Sequence, residues 1–234
     1  STHATMKGNQ KYEVAYPTPH LLTDGVFAEV RTTYRDLPEE TFYGRGNNTR
    51  SEDEAIYGLK DRSVTGQIGI HVRKHVKVGG QLGWVDTTVS EGTKTFLPSV
   101  LDNFSASNLP GFDNSPTYLR TGAIVDVDYR DEPGNPRAGG RYTARVSSFQ
   151  DLDLGQHDFT QFDFDAQQYI PFFNQRRVIA LRARTTLTRT ADSEAIPFYM
   201  LPTVGGSEDV RGFEDFRFRD RNSVVLNAEY RWEA

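Results

Sequence analysis

Apolar and polar residues alternate with a period of two along most of this chain, as in β-strands whose two faces meet different surroundings. Within 141–149, Tyr142, Ala144 and Val146 share one face, and Arg141, Thr143, Arg145 and Ser147 the other. Within 161–170, Phe162, Phe164, Ala166 and Ile170 oppose Gln161, Asp163, Asp165, Gln167 and Tyr169. Ile179, Leu181, Ala183 and Leu187 then oppose Arg182, Arg184, Thr186 and Thr188, and Val224, Leu226, Ala228, Tyr230 and Trp232 oppose Asn227, Glu229 and Arg231. Earlier in the chain, Leu119, Ala123, Val125, Val127 and Tyr129 alternate with Arg120, Asp126, Asp128 and Arg130. The pattern predicts nine strands, at 10–17, 25–35, 55–74, 78–90, 117–130, 140–151, 158–170, 176–190 and 222–233. The third is too long for one bilayer crossing, so it is expected to project beyond the membrane or to bend near Gly58 or Gly66.

A soluble β-sandwich also alternates, and a soluble β-rich binding protein is the competing reading; it predicts a chain that dissolves without detergent. Three features favour a membrane wall. Most segments run about 10 to 14 residues, longer than a globular strand and suited to a tilted crossing. Their polar faces carry full charges of both signs in strand after strand. Their connections alternate in length: long at 36–53, 90–116 and 191–221, short at 74–77, 131–139 and 171–176, with 150–157 short in a long-loop position. Short turns on one side and long loops on the other are the sidedness of outer-membrane barrels.

Composition changes this picture only by exclusion. The 234 residues include no cysteine, which removes disulfide scaffolds and thiolate metal sites. The 27 basic and 32 acidic residues are thoroughly mixed and sum to −5, so there is no electrostatic footprint for nucleic acid. Mean hydropathy is −0.61 and no apolar run reaches the roughly 18 residues of a membrane helix, but a membrane strand is apolar on one face only. Residues 1–11 lack a signal-peptide pattern and the chain does not begin with Met, which suggests a processed or excised piece. Bacterial single-chain barrels have even strand numbers, so nine strands argue for one barrel domain over 1–234 that is incomplete at both ends.

Candidate chemistry is sparse. His71 and His75 have a metal-ligand spacing only if helical, and here they fall on a strand and a turn. Asp163 with Asp165, and Asp126 with Asp128, could serve as paired acid and base. Arg130, Arg145, Arg182 and Arg184 occupy like-facing positions, which makes a lumenal charge network the better reading. No nucleophile elbow, phosphate loop or zinc motif occurs, so neither an enzyme nor a cofactor or metal is expected.

The most informative stretch is 196–213, IPFYMLPTVGGSEDVRGF, which ends on Gly205, Gly206, Val210, Arg211, Gly212 and Phe213, followed by the strand containing Glu229. Together with the DYRD run at 128–131, Asn135, Pro136 and Gly139, and the FYGRGNNT run at 42–49, it resembles the Omp85 superfamily (the BamA/TamA or D15 surface-antigen barrels). The resemblance covers about 12–232. It implies an antiparallel sixteen-stranded transmembrane β-barrel at the bacterial outer membrane, of which about nine strands are present, without POTRA domains. It also implies that the motif loop folds into the lumen, where Arg211 pairs with Glu229 on the wall. The implied partners are outer-membrane lipid and unfolded client proteins that the barrel assembles or translocates. The alternative is a passive pore, or a membrane anchor for an attached effector domain.

Overall fold

Alternation builds one sheet. The computed structural model describes residues 2–4, 10–17, 25–92, 96–173, 176–191 and 194–232. Its strands are β1 (Thr2–Ala4), β2 (Gln10–Pro17), β3 (Val26–Phe42), β4 (Ala55–Arg73), β5 (Val76–Glu91), β6 (Thr117–Asp128), β7 (Gly139–Asp151), β8 (Phe159–Phe172), β9 (Arg177–Arg189), β10 (Thr203–Val204), β11 (Phe218–Arg219) and β12 (Asn222–Trp232). Ten of them form an antiparallel up-and-down sheet in the order β1 to β9 and then β12, while β10 and β11 form a separate ribbon. Among the described residues, β1 pairs only with β2 and β12 only with β9, so the sheet is a barrel wall that does not close.

All nine expected strands form in the expected order, and the short β1 adds a tenth. The largest correction concerns 36–42, expected to begin a long connection. These residues instead continue β3, with a bulge between Leu37 and Glu40. Pro38 lies inside that bulge; it has no N–H to give a ladder, and a bulge is where a strand tolerates it. The bulge faces Gly58, which lies between the partners Leu59 and Tyr57. On its other side β4 pairs with β5 through Gly58 and Gly66 without a shift, so this long strand projects and does not break.

Register makes one face continuously apolar. Leu226 opposes Ala183, Ala183 opposes Ala166, and Ala166 opposes Tyr142. Tyr142 opposes Val127, and two residues along the same face Ala144 opposes Val125, Val125 opposes Val78, Val78 opposes Ile70 and Ile70 opposes Val26. Large side chains on this face stay uncovered, with Leu226 at 74%, Val224 at 64% and Leu82 at 59% of full exposure. Uncovered apolar surface on that scale needs a nonaqueous neighbour. At the short-turn end the same face carries Tyr129, Tyr142, Phe172, Tyr230 and Trp232, with Tyr129 on Tyr142 and Phe172 on Tyr230 at 6.0 Å, an interfacial aromatic girdle. At the other end β3 to β5 turn charged on this face, where Asp36 pairs with Lys60 (3.2 Å) and Arg62 lies over the Tyr34 ring. Strands of 17, 19 and 16 residues exceed the 9–11 of a crossing, so their far ends stand above the bilayer.

That projecting end holds the apolar packing on the opposite, polar side of the sheet. Phe42, Tyr57, Leu59, Val100, Leu109, Phe198 and Tyr199 form one buried cluster, and Tyr118, Phe149, Phe159, Ile196 and Leu201 a second. Phe198 packs edge-on against Phe42 (5.2 Å) and Tyr57 (4.9 Å). The long loops between β5 and β6 and between β9 and β12 thus cover the strand ends.

Candidate lumenal loop and charge network

The segment joining β9 to β12 is shaped by its glycines. Gly206 sits at φ +73°, where an added Cβ would fall 1.6 Å from Asp215 Oδ1; at Gly205 it would meet the Glu214 carbonyl at 2.1 Å. The close approach admits hydrogen alone. A single helical turn follows, α1 (Gly206–Asp209), and the amides of Val210, Phe213 and Gly206 close the loop on the carbonyls of Gly206, Val210 and Phe213. Gly212 has open space around it and is an ordinary turn glycine.

Two sets of contacts fasten this loop. On the β9 and β12 side, Arg184 Nη1 donates to Asp209 Oδ1 (2.6 Å) and Asn227 Nδ2 to the Asp209 carbonyl (2.9 Å). On the β3 and β4 side, Arg219 is 4% exposed, lies 3.7 Å from the Glu40 carboxylate, donates to the Phe198 carbonyl (3.1 Å) and sits over Phe42 and Tyr57. Its carbonyl accepts from the Gly46 amide (2.9 Å). Arg217 donates to Thr49 Oγ1 and to the Thr49 carbonyl (both 2.7 Å) and stacks on Tyr43, whose hydroxyl donates to Glu214 (3.0 Å). Sequence reasoning missed Arg217 and Arg219. Their signal was the unusual density of arginine and phenylalanine in FRFR at 216–219, which reads as a solvated loop until its partners around 40–49 are known.

Arg211 and Glu229 line one cavity of about 500 Å³, together with Tyr169, Arg182, Asp209 and Arg231. Glu229 lies on the polar face opposite Ala180, as alternation predicts, and its ion pair is with Arg231 (3.1 Å). Arg211 is exposed to the cavity, and Val210 and Phe213 flank it, with Phe213 edge-on to Phe218 at 5.0 Å.

The charges expected on the polar face are brought together there. Arg182 forks onto Asp165 (2.6 Å at the shortest), Arg141 onto Asp126 (2.9 Å) and Arg130 onto Asp128 (2.7 Å). These bidentate pairs are the strong form of the contact. In register Asp165 faces Arg184, but Arg182 reaches it from the diagonal position and leaves Arg184 for Asp209 of the loop. Asp163 accepts from Gln161 (3.0 Å) and Thr186 (2.9 Å). The two histidines with metal-like spacing serve separate turns: His71 lies 3.2 Å from the Gly25 carbonyl and His75 2.9 Å from that of Asp128.

Comparison with known proteins agrees with this architecture. The family model described as the Omp85 superfamily domain matches residues 2–234. Among solved structures, the chain is similar to BamA from Haemophilus ducreyi lacking POTRA domains 1–3, with a TM-score of 0.63 and 20% identity. The match covers 89% of this chain and 38% of that one, so the chain spans well under half the length of its structural relative. No curated protein gives a significant match.

Proposed function

Since the chain belongs to the Omp85 superfamily, we propose that its barrel wall works at the bacterial outer membrane to insert or translocate proteins, with the 196–219 loop folded into the lumen. The observation that carries this reading is the loop's double attachment on the polar face, through Asp209 to Arg184 and Asn227 and through Arg219 to Glu40. In this reading the partners are outer-membrane lipid on the apolar face and unfolded client chains. The barrel performs no chemical step; it lowers the cost of bringing strands into lipid, where every backbone group needs a partner.

Arg211 is the loop's adjustable contact. Across the shared cavity it pairs with Glu229 by exchanging with Arg231, so that the loop tip is locked to the wall while Arg219 holds its base. A guanidinium suits that role because its fork matches a carboxylate and its charge is permanent.

The test uses the full-length protein in liposomes supplied with a urea-denatured outer-membrane client, scoring folded client by its resistance to SDS before heating. The expected result is accelerated client folding, with Arg211→Ala several-fold slower and Arg211→Lys in between. Acceleration unaffected by Arg211→Ala would remove the lock. No acceleration, together with steady conductance in planar bilayers, would replace the assembly reading with a passive pore. The apolar clusters around Phe198 and Tyr118, which pack over the strand ends, argue against free conduction.

A further inference from the structure

Arginines outnumber carboxylates in one recess on the polar face of β6 to β9. A cavity of about 430 Å³ there is lined by Arg120, Arg141, Arg145, Arg182 and Arg184, and by only two acids, Asp163 and Asp165. Three of the five are matched: Arg141 by Asp126, Arg182 by Asp165 and Arg184 by Asp209. Arg120 is held by neutral groups, donating to Ser147 Oγ (3.2 Å) and lying over the Phe149 ring at 5.3 Å. Its Nε and that of Arg145 are both buried without a hydrogen-bond acceptor. The remaining carboxylate, Asp163, takes its hydrogen bonds from Gln161 and Thr186.

Two adjacent guanidinium groups in one recess, with buried donor positions unused, are costly unless something carries the opposite charge. We propose that this recess binds an oxyanion, a phosphate- or carboxylate-bearing group whose oxygens accept from Arg120 and Arg145 together. Guanidinium forks prefer such planar or tetrahedral oxygens, and a polar cavity of this size gives the anion room to enter. The π-face of Phe149, itself stacked on Phe159 at 4.5 Å, fixes Arg120 so that little ordering remains on binding. Either a free anion or an acidic side chain of a polypeptide threading the lumen has this chemistry. The site does not depend on which task the barrel performs.

Asp163 is the rival occupant, because it faces Arg145 directly in register. Two substitutions distinguish the cases. The full-length protein in detergent is titrated with inorganic phosphate, and separately with a short glutamate-rich peptide, while the midpoint of thermal unfolding is followed in chloride buffer. Saturable stabilisation is expected, weakened about tenfold or more in affinity by Arg145→Gln and strengthened by Asp163→Asn. In chloride without either ligand, Arg145→Gln unfolds no earlier than the parent, since it removes a like-charge neighbour. Tighter binding of the peptide than of phosphate assigns the site to a passing chain, and the reverse order assigns it to a free anion. Absence of any response to both ligands overturns the proposal. So does an Arg145→Gln protein already destabilised in chloride whose loss Asp163→Asn repeats, since Arg145 and Asp163 then simply form an internal pair.

Discussion

Arg219 of the long loop and Glu40 of β3 form a buried ion pair, 3.7 Å apart, in a pocket walled by Phe42, Tyr57 and Phe198. Removing one partner of such a pair strands the other charge, at a cost of about 3–5 kcal/mol. Arg219→Met is therefore expected to lower the unfolding midpoint strongly and to open residues 196–219 to protease, measured on the full-length protein by heat-modified gel mobility and limited digestion. Normal protection of that segment in Arg219→Met would show that the pair does not hold the loop.

The same pair predicts a pH response. Burial pushes the Glu40 carboxyl up from its usual range to about 7, against the pull of Arg219 and Arg35, and the residue sits on the part of β3 that projects above the bilayer. A raised carboxyl binds its proton more tightly folded than unfolded. Its contribution is thus present below the unfolded value of 4.5 and is lost as pH rises through about 7. The unfolding midpoint should fall between pH 5 and 8, and Glu40→Gln should flatten that fall. An unchanged slope in Glu40→Gln would assign the pH dependence elsewhere.

Asp209 is the other attachment. Asp209→Asn keeps the carbonyl contact to Asn227 but removes the charge facing Arg184, a loss of about 1.5–3 kcal/mol for a charge-assisted bond. The backbone amides of 206–213 should then exchange with deuterium faster than in the parent protein. Equal rates would mean that the loop tip is held without this bond.

The glycines of the motif differ in what they tolerate. Gly206→Ala drives a methyl into Asp215 at a backbone angle that L-residues resist, and should cost on the order of 1–3 kcal/mol. Gly212→Ala meets open space and should be close to neutral. Paired unfolding midpoints check the contrast, which a severe effect at 212 would contradict.

The two faces of β12 give a test of orientation. Leu226→Arg puts a charge on the uncovered apolar face near the middle of the strand and should cost about 2–4 kcal/mol in lipid. Asn227→Arg, one residue along on the polar face, gives up the bond to the Asp209 carbonyl but no lipid contact, and should cost no more than about 1.5 kcal/mol. Folding yields into liposomes separate the two, and equal penalties would mean that the faces are misassigned.

Period two made the wall legible: the alternation of Tyr142, Ala144 and Val146 with Arg141, Thr143 and Arg145 fixes both strand and face, because a register slip of one residue would exchange them. The placement of Glu229 and of the aspartates on the polar face follows from the same rule. Pro38 concealed the continuation of β3, since a proline reads as a strand end unless the opposing bulge is known. Partner choice was also hidden. Register sets Arg184 beside Asp165, but Asp209 draws Arg184 away and Arg182 takes Asp165 from the diagonal position, which depends on where a distant loop comes to rest. Arg217 and Arg219 escaped notice for that reason, because their meaning lies in Thr49 and Glu40.

The double attachment of the loop also bears on how the wall is assembled in time. Nearly every strand pairs with its neighbour in the chain, so the sheet can zip up hairpin by hairpin through short closures. The bonds of the loop do not fit that order: Tyr43 meets Glu214 across 171 residues and Arg217 meets Thr49 across 168. Contacts of such separation carry the largest closure entropy and form after local ones. The loop is thus the last latch to engage, and until it does, the zipped sheet can still be reversed.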